Sequence, residues 1–381
     1  MNGPQRSLTS SARITAASPR LACISRAASV VVVSAVALAV CSQSHAQTAC
    51  DADIDGDGAV GPADLALLLG AWGGCAGCGA DITADGVVDG ADLSTLLGLW
   101  GAFCSPLPWA TVLEPAPNPA VVTDVTLRKA IAATGLPWRV RDDATGIEMV
   151  LVPPGTLSMG CSSSINYECA TIESPIHQVT LTNAFYMGRF EVTQAQWTAR
   201  MGANPSFFQG PAYPDAASRP VDRVSWLSIQ PFLAGSGLRL PTEAEWEFAC
   251  RAGTDTAFHS MPRFPNGTSD DAQLGTIAWF GPNAGGQTRP VGQKAANALG
   301  LHDMLGNTWE WVDDWFGFYA PDAQTNPAGP GSGTLRVIRG GAWASDGCVP
   351  IIACYPRTSL RDGGTQDGAS FDRGFRVARN P

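Results

Sequence analysis

Oxygen-bearing side chains recur in the first third of the chain at a spacing that suits a hard cation. Asp53, Asp55, Asp57 and Asp64, with Gly58 among them, are followed 28 residues later by Asp81, Thr83, Asp85 and Asp92, with Gly86. In each copy the donors stand at loop positions one, three, five and twelve and the glycine at six, the spacing of an EF-hand-type loop that holds Ca²⁺. A third set lies in Gly300–Trp311, G-L-H-D-M-L-G-N-T-W-E-W. Here Asp303 and Glu310 flank a Gly306-Asn307 turn, and the carbonyls of Gly306 and Thr308 lie between them. Such a set either offers Ca²⁺ its ligands at about 2.3–2.6 Å or consists of two solvated acids.

The elements that must position these donors follow from periodicity. After each aspartate loop the apolar residues step as Leu65, Leu68, Leu69, Trp72 and again as Leu93, Leu96, Leu97, Trp100, which predicts one short amphipathic helix per loop, the two packing face to face. Trp309 and Trp311 alternating about Glu310 predict a strand. Short apolar runs, Met149 to Val152 and Val179 to Leu181, predict further strands in a region that Gly and Pro punctuate every few residues. Thr193 is set to cap a helix over Gln194 to Met201, and Thr242, with Glu245 three residues on, forms a capping box for Glu243 to Arg251.

Length and composition divide the chain. Its 381 residues, 45% apolar, exceed one average domain and suffice for a sizeable core. Residues 1–46 carry Arg6, Arg13, Arg20 and Arg26 and no acid, then the apolar run Ala27 to Val40, then Ser44-His45-Ala46, the pattern of an export signal. At about 14 residues the run is shorter than the ~20 of a spanning helix. Cleavage leaves 20 of 24 basic residues against 34 acids, which argues against nucleic acid as a partner. Nine of the eleven cysteines then lie in an oxidising compartment, secreted or at the cell surface, so disulfides are expected and, nine being odd, at least one thiol is left free or paired between chains. Residues 51–104 hold nine Asp and no Lys, Arg or Glu, a density that opposes compaction unless a cation is bound. Cys50, Cys75, Cys78 and Cys104 bracket this region, where two disulfides suit a small core better than zinc does. Five prolines between Pro106 and Pro119 predict an extended linker within 105–140, followed by a short helix with Val125, Leu127, Ile131 and Leu136 around Lys129.

Two resemblances rest on these motifs. The duplicated loop ending in Asp, with one helix and an L-x-x-L-L-x-x-W tail per copy, resembles a dockerin module over residues 50–104. Dockerins bind cohesin partners through loop positions ten and eleven, often hydroxyl-bearing, whereas this chain has Pro62-Ala63 and Gly90-Ala91 there. The resemblance implies a cohesin-like or cell-surface protein as partner through this module, although these residues depart from those of a conventional cohesin contact. Residues 141–381 carry I-E-M-V-L-V-P-P-G-T from Ile147, E-V-T-Q-A-Q-W from Glu191, L-R-L-P-T-E-A-E-W-E-F-A-C-R-A-G from Leu238, the Gly300 stretch, R-G-G-A-W from Arg339 and G-F-R from Gly374. Together and in this order they are similar to the formylglycine-generating enzyme, or sulfatase-modifying factor, family. The resemblance implies an α+β, loop-rich variant of the C-type-lectin fold, and a structural calcium on Asp303, Gly306, Thr308 and Glu310. It also implies a truncated surface helix between Trp226 and Leu238, where Pro231 falls.

Active members of that family oxidise a cysteine in a C-x-P-x-R context to formylglycine with Cu(I) held by two cysteines, four and nine residues after the Gly-Gly pair. Soft thiolates are what Cu(I) requires. Here those positions are Ser345 and Pro350, and the hydroxyl that follows Gly-Gly in active members is replaced by Ala342. Cys348 is near the second position without a partner at the first, and the resemblance pairs Cys250 with Cys354. Cys161 and Cys169 are set for a second, local bridge. His177, His259 and His302 lack metal-ligand spacing, and no G-x-S-x-G, Walker or dinucleotide loop is present. The implied function is an exported calcium-binding protein whose large domain is a ligand- or protein-binding scaffold without copper, with aromatics around Trp309, Trp343 and Phe371 as its face. The alternative is an active oxidase that uses copper.

Overall fold

The computed structural model describes residues 49–55, 58–75, 77–102, 107–165, 168–345 and 356–381. The export signal expected over residues 1–46, and Asp57, Cys104, Cys348, Pro350 and Cys354, lie outside them.

In the first third, α1 (Ala49–Ala52) precedes the two predicted helices, α2 (Pro62–Gly70) and α3 (Gly90–Gly98), which occupy equivalent places in the two repeats. A two-residue strand follows or precedes each, β1 (Gly73–Gly74) pairing antiparallel with β2 (Val87–Val88). The small core keeps the repeat: Ala52 and Ala80, Val60 and Val88, Leu68 and Leu96 are buried in register, with Ile82. The predicted apolar faces are corrected at their outer halves, because Leu69, Trp72, Leu97 and Trp100 are exposed. Trp72 and Trp100 lie beyond the helix ends, since α2 stops at Gly70 and α3 at Gly98, whereas Leu69 and Leu97 are inside the helices but off the buried stripe of Leu68 and Leu96.

The larger core is built by three sheets. The first is antiparallel, in the order β14–β8–β5–β4–β3, from β3 (Ala110–Glu114), β4 (Arg139–Asp142), β5 (Glu148–Val152), β8 (Phe185–Gly188) and β14 (Ala378–Arg379). The second joins β6 (Gly155–Met159), β7 (His177–Leu181) and β10 (Gln324–Thr325). In the third, β9 (Trp309–Trp315) lies between β11 (Arg336–Arg339) and β13 (Arg373–Phe375), with β12 (Arg361–Gly364) at the edge. The chain thus ends by stepping from the third sheet at β13 to the first at β14, and Arg376 stands in that step. Around the sheets pack α4 (Val125–Ala132), α5 (Gln194–Met201), α6 (Trp226–Leu233), α7 (Glu243–Arg251) and the short α8 (Gly281–Ala284). The architecture is mixed α/β and loop-rich, and among the described residues no helix is long and apolar enough to cross a membrane.

One expectation changes. The stretch read as a linker is not one throughout: W-A-T-V-L-E lies between Pro108 and Pro115, forms β3 on the edge of the first sheet, and places Leu107, Ala110, Val122, Ile131 and Trp138 in the main core. Pro has no N–H to give to a ladder, so it is tolerated where an edge strand begins and ends. The helix expected to be short runs over Trp226–Leu233 with Pro231 inside it; Ser225 caps it, and Ile229 and Phe232 are buried.

The Thr242 capping box is present in full: Thr242 Oγ1 accepts from Glu245 N at 3.2 Å, and Glu245 Oε2 accepts from Thr242 N at 2.8 Å. Arg239 then clamps the Glu245 carboxylate from outside, at 2.6 and 2.8 Å. Replacing Thr242 by Ala should lower the stability of the large core by about 1 kcal/mol, seen as a lower urea midpoint at unchanged slope. Cys161 and Cys169 form the local disulfide expected of them, Cys75 bonds Cys78, and Cys50 is also disulfide-bonded. Cys250 departs from expectation, as a free thiol that is fully buried.

Candidate functional site

In the repeats, the residue at loop position twelve organises each turn. Asp64 accepts from the N–H groups of Ile54 (2.6 Å), Asp55 (3.0 Å) and Gly61 (2.7 Å), and Asp92 from those of Thr83 (2.9 Å) and Asp89 (2.8 Å) as well as from the Thr83 hydroxyl (3.1 Å). Burial pushes both carboxyls up, but these donors outweigh it and hold them below the usual range. Asp53 and Asp81 each accept from the loop glycine, Gly58 at 3.0 Å and Gly86 at 2.9 Å. Asp53, Asp55 and Asp64 bring carboxylate oxygens within 4.8 Å of one another, a hard-oxygen set of the kind Ca²⁺ takes. In the second loop Asp85 instead accepts from Val87 N at 2.9 Å.

The Gly300 turn is built otherwise than its spacing suggests. Asp303, Gly306 and Asn307 all take positive φ, and at Gly306 a Cβ would fall on the Trp279 carbonyl, so only glycine fits. The tight turn tucks Glu310 inward on β9, opposite Gly374 of β13, where it is 1% exposed. Arg376 grips it with Nε and Nη2, each at 2.6 Å, and Trp246 Nε1 adds a third bond at 2.6 Å. The rest of the guanidinium is spent on the carbonyls of Gly188 and His302, both at 3.0 Å. Glu191 accepts from Asn307 Nδ2 (2.6 Å) and from Thr308 N (2.9 Å) and Oγ1 (2.6 Å). Asp303 Oδ2 accepts from Gly292 N at 2.6 Å, while its Oδ1 is buried without a partner among the described residues. A calcium on Glu310 would have to stand against the guanidinium, so the expected set of Asp303, Gly306, Thr308 and Glu310 does not fit the cation as arranged here. Burial, and then the charges of Asp303 and Glu310, push Glu191 far up; burial raises Asp303 to about 6. Arg376 and Glu191 are the members that spacing missed. The signal was in G-F-R and E-V-T, but their partners lie far along the chain.

Beyond the Gly340-Gly341 pair the backbone makes a closed turn. Ser345 Oγ accepts from Ala342 N at 2.9 Å and Ser345 N donates to the Ala342 carbonyl at 2.9 Å, with Ser345 6% exposed. A hard, hydrogen-bonded hydroxyl thus occupies the position where active members have a thiolate. Cys250 does not substitute for it, because burial pushes its thiol far above the ordinary range. The three histidines commit Nδ1 to separate carbonyls, of Pro175, Ser260 and Lys294, and do not gather around one point among the described residues.

Next to this turn lies an aromatic platform. The Trp343 ring meets Phe371 at 5.7 Å and Phe208 at 5.4 Å; Phe207 meets Phe208 at 5.1 Å and Phe371 at 6.0 Å; Tyr213 extends the row from Phe208 at 5.5 Å. Phe207 is 54% and Phe371 47% exposed. The platform is fixed from below: Asp222, buried, accepts from Phe207 N at 2.6 Å, and Trp343 Nε1 donates to the Phe371 carbonyl at 3.3 Å. Of the three aromatics expected at this face Trp343 and Phe371 are in it, whereas Trp309 packs on the main core. Phe207, Phe208 and Tyr213, carried by the loop after α5, are additions that local patterning did not mark.

Residues 139–381 match the sulfatase-modifying factor enzyme 1-like domain. A formylglycine-generating enzyme of Streptomyces coelicolor is 28% identical over 295 residues, covering 61% of this chain and 88% of that protein. The chaperone protein LppX of Paenibacillus barcinonensis is 30% identical over 258 residues, covering 53% and 82%. Among solved structures, Treponema denticola variable protein 1 superposes with a TM-score of 0.51 at 31% identity, over 62% of this chain and 95% of that one. PvdO from Pseudomonas aeruginosa gives 0.52 at 25% identity, over 64% and 98%. These neighbours are C-type-lectin-like, as the motifs implied. With its family domain spanning well over half of its length, the chain belongs to the sulfatase-modifying factor enzyme 1-like, or formylglycine-generating-enzyme-like, family.

Proposed function

We propose that the large domain is a binding module that does not oxidise cysteine. The observation that carries this reading is the pairing of an exposed aromatic row with a Gly-Gly turn closed by Ser345, where a thiolate would be needed. Rings held rigidly at a surface provide apolar contact area at little cost in conformational entropy, which suits recognition of a protein or peptide with exposed apolar side chains. Kinship with a chaperone as well as with oxidases supports a family in which the scaffold outlasts the copper chemistry. Incubation with Cu(I) and a C-x-P-x-R peptide should yield no aldehyde by mass; an aldehyde product would instead establish the active oxidase. The platform itself is tested with an apolar dye such as anilinonaphthalene sulfonate, which the native protein should bind and the Phe207→Ala, Phe371→Ala double variant should not.

The same proposal gives the amino-terminal repeats a calcium-dependent, dockerin-like role in an exported protein, attaching the binding domain to a cohesin-like or cell-surface partner. The carboxylate set of Asp53, Asp55 and Asp64 and the matched hydrogen bonding of Asp64 and Asp92 support it. Disulfides at Cys50, Cys75 and Cys161 fit an oxidising compartment.

A further inference from the structure

A cavity of ≈ 400 Å³ shares no lining residue with the aromatic platform. It lies among the start of α7, the end of β9 and the loop that follows β9, and its wall includes His177, Glu243, Asp314, Trp315, Phe318 and Tyr319. The charges inside it are closed on each other. Arg361 grips both oxygens of Glu243, at 2.7 Å each, and the Tyr319 hydroxyl donates to Glu243 at 3.0 Å.

Two nearly buried groups, Asp314 at 4% and His177 at 6% exposure, keep unused capacity. Asp314 Oδ2 accepts from Glu243 N at 2.8 Å, and no protein donor reaches Oδ1 among the described residues. His177 Nδ1 lies 3.1 Å from the Pro175 carbonyl, and that contact leaves Nε2 as the ring nitrogen open to a ligand hydroxyl. Phe318, 76% exposed, adds an open aromatic face at the cavity wall.

We propose that this cavity binds a neutral, polyhydroxylated ring, a monosaccharide or the end of a glycan. A pair of adjacent hydroxyls, each both donor and acceptor, can accept from a carboxyl proton and hydrogen-bond an imidazole nitrogen at once, and the C–H face of a sugar packs on an aromatic ring. With Glu243 neutralised by Arg361, a charged ligand would find no counter-charge, and a volume of ≈ 400 Å³ lies within the range of small-ligand sites. The required carboxyl proton is present at neutral pH, because burial, and then the charge of Glu243, raise Asp314 to about 8. Glu245 from α7 and Asp313 beside it act in the same sense. His177, Tyr319 and Arg361 are the remaining titratable groups lining this cavity.

The test is saturation-transfer NMR on the full chain with a panel of neutral methyl glycosides at millimolar concentration. At least one glycoside should receive saturation, and its affinity should fall as pH rises through about 8, when Asp314 loses its donor proton. Asp314→Asn retains an oxygen for Glu243 N and offers an amide N–H to the ligand, so it should bind with a flat pH profile. Phe318→Ala should weaken binding about fivefold at unchanged melting temperature, the order of one aromatic contact. Trp343→Ala should leave this binding intact, which separates it from the platform. Absence of transfer to every glycoside overturns the proposal, as does binding whose strength and pH profile ignore both the Phe318 and Asp314 variants.

Discussion

Replacing Arg376 by Met should destabilise the large domain by about 3–5 kcal/mol, the cost of leaving a buried carboxylate without its partner. The effect should be at the upper end here, because three carboxylates, Glu191, Asp303 and Glu310, surround that one guanidinium, all at most 1% exposed. Asp303→Asn should act in the opposite direction. Asn keeps an acceptor for Gly292 N, tolerates the φ of 54° at this position, and removes a charge that the site disfavours. The pH dependence has a definite sign. Since the folded-state value of about 6 lies above the ordinary 3.8, the contribution of Asp303 is fully present at low pH and is lost as pH rises through about 6. Chemical denaturation of wild type and both variants at pH 5 and pH 7.5, with and without calcium, checks all of this. A wild-type domain stabilised by calcium, with Asp303→Asn and Glu310→Gln both abolishing that gain, would restore these residues to the role of metal ligands.

What the sequence made legible is what is decided locally. The 28-residue repeat, its glycine positions and the two capping threonines are short-range features, and each appears at the residue where its chemistry requires it. The Gly306-Asn307 turn was equally readable. The partner of Glu310 was not, because it depends on β13 lying parallel to β9, which sets Gly374 opposite Glu310 and delivers Arg376 from 66 residues away. A carboxylate beside a turn has the same pattern in sequence whether it faces a cation, water or an arginine.

The misjudged elements have related causes. Periodicity assigns a face but not the point at which a helix ends, so Trp72 and Trp100 were placed inside although α2 and α3 stop short of them. Proline density predicts extended chain, and extended chain can be solvated or paired; for Ala110–Glu114 the outcome turned on Arg139–Asp142 being available as a neighbour. The platform required three separate segments, around Phe207, Trp343 and Phe371, to converge, and only two of them carried a motif.

Chelation should have the largest effect of all on the repeats, abolishing the folded state of residues 49–102 while the larger core persists. The small core rests on a few aliphatic side chains, Leu68, Leu96, Val60, Val88 and Ile82 chief among them, and units near this size need a metal or disulfides to hold together. Charge makes the need sharper, since nine aspartates and no basic residue within 51–104 repel one another unless a dication intervenes. The disulfides at Cys75 and Cys50 limit the unfolded chain without neutralising that charge. Calorimetry under non-reducing conditions should therefore show two transitions in calcium, and EDTA should remove the smaller one. Asp64→Ala should mimic chelation even in calcium, because it removes both a proposed ligand and the acceptor that three loop N–H groups share. Should EDTA leave both transitions in place, the disulfides and apolar pairs alone would be holding the repeats, and the loops would be calcium loops in spacing only.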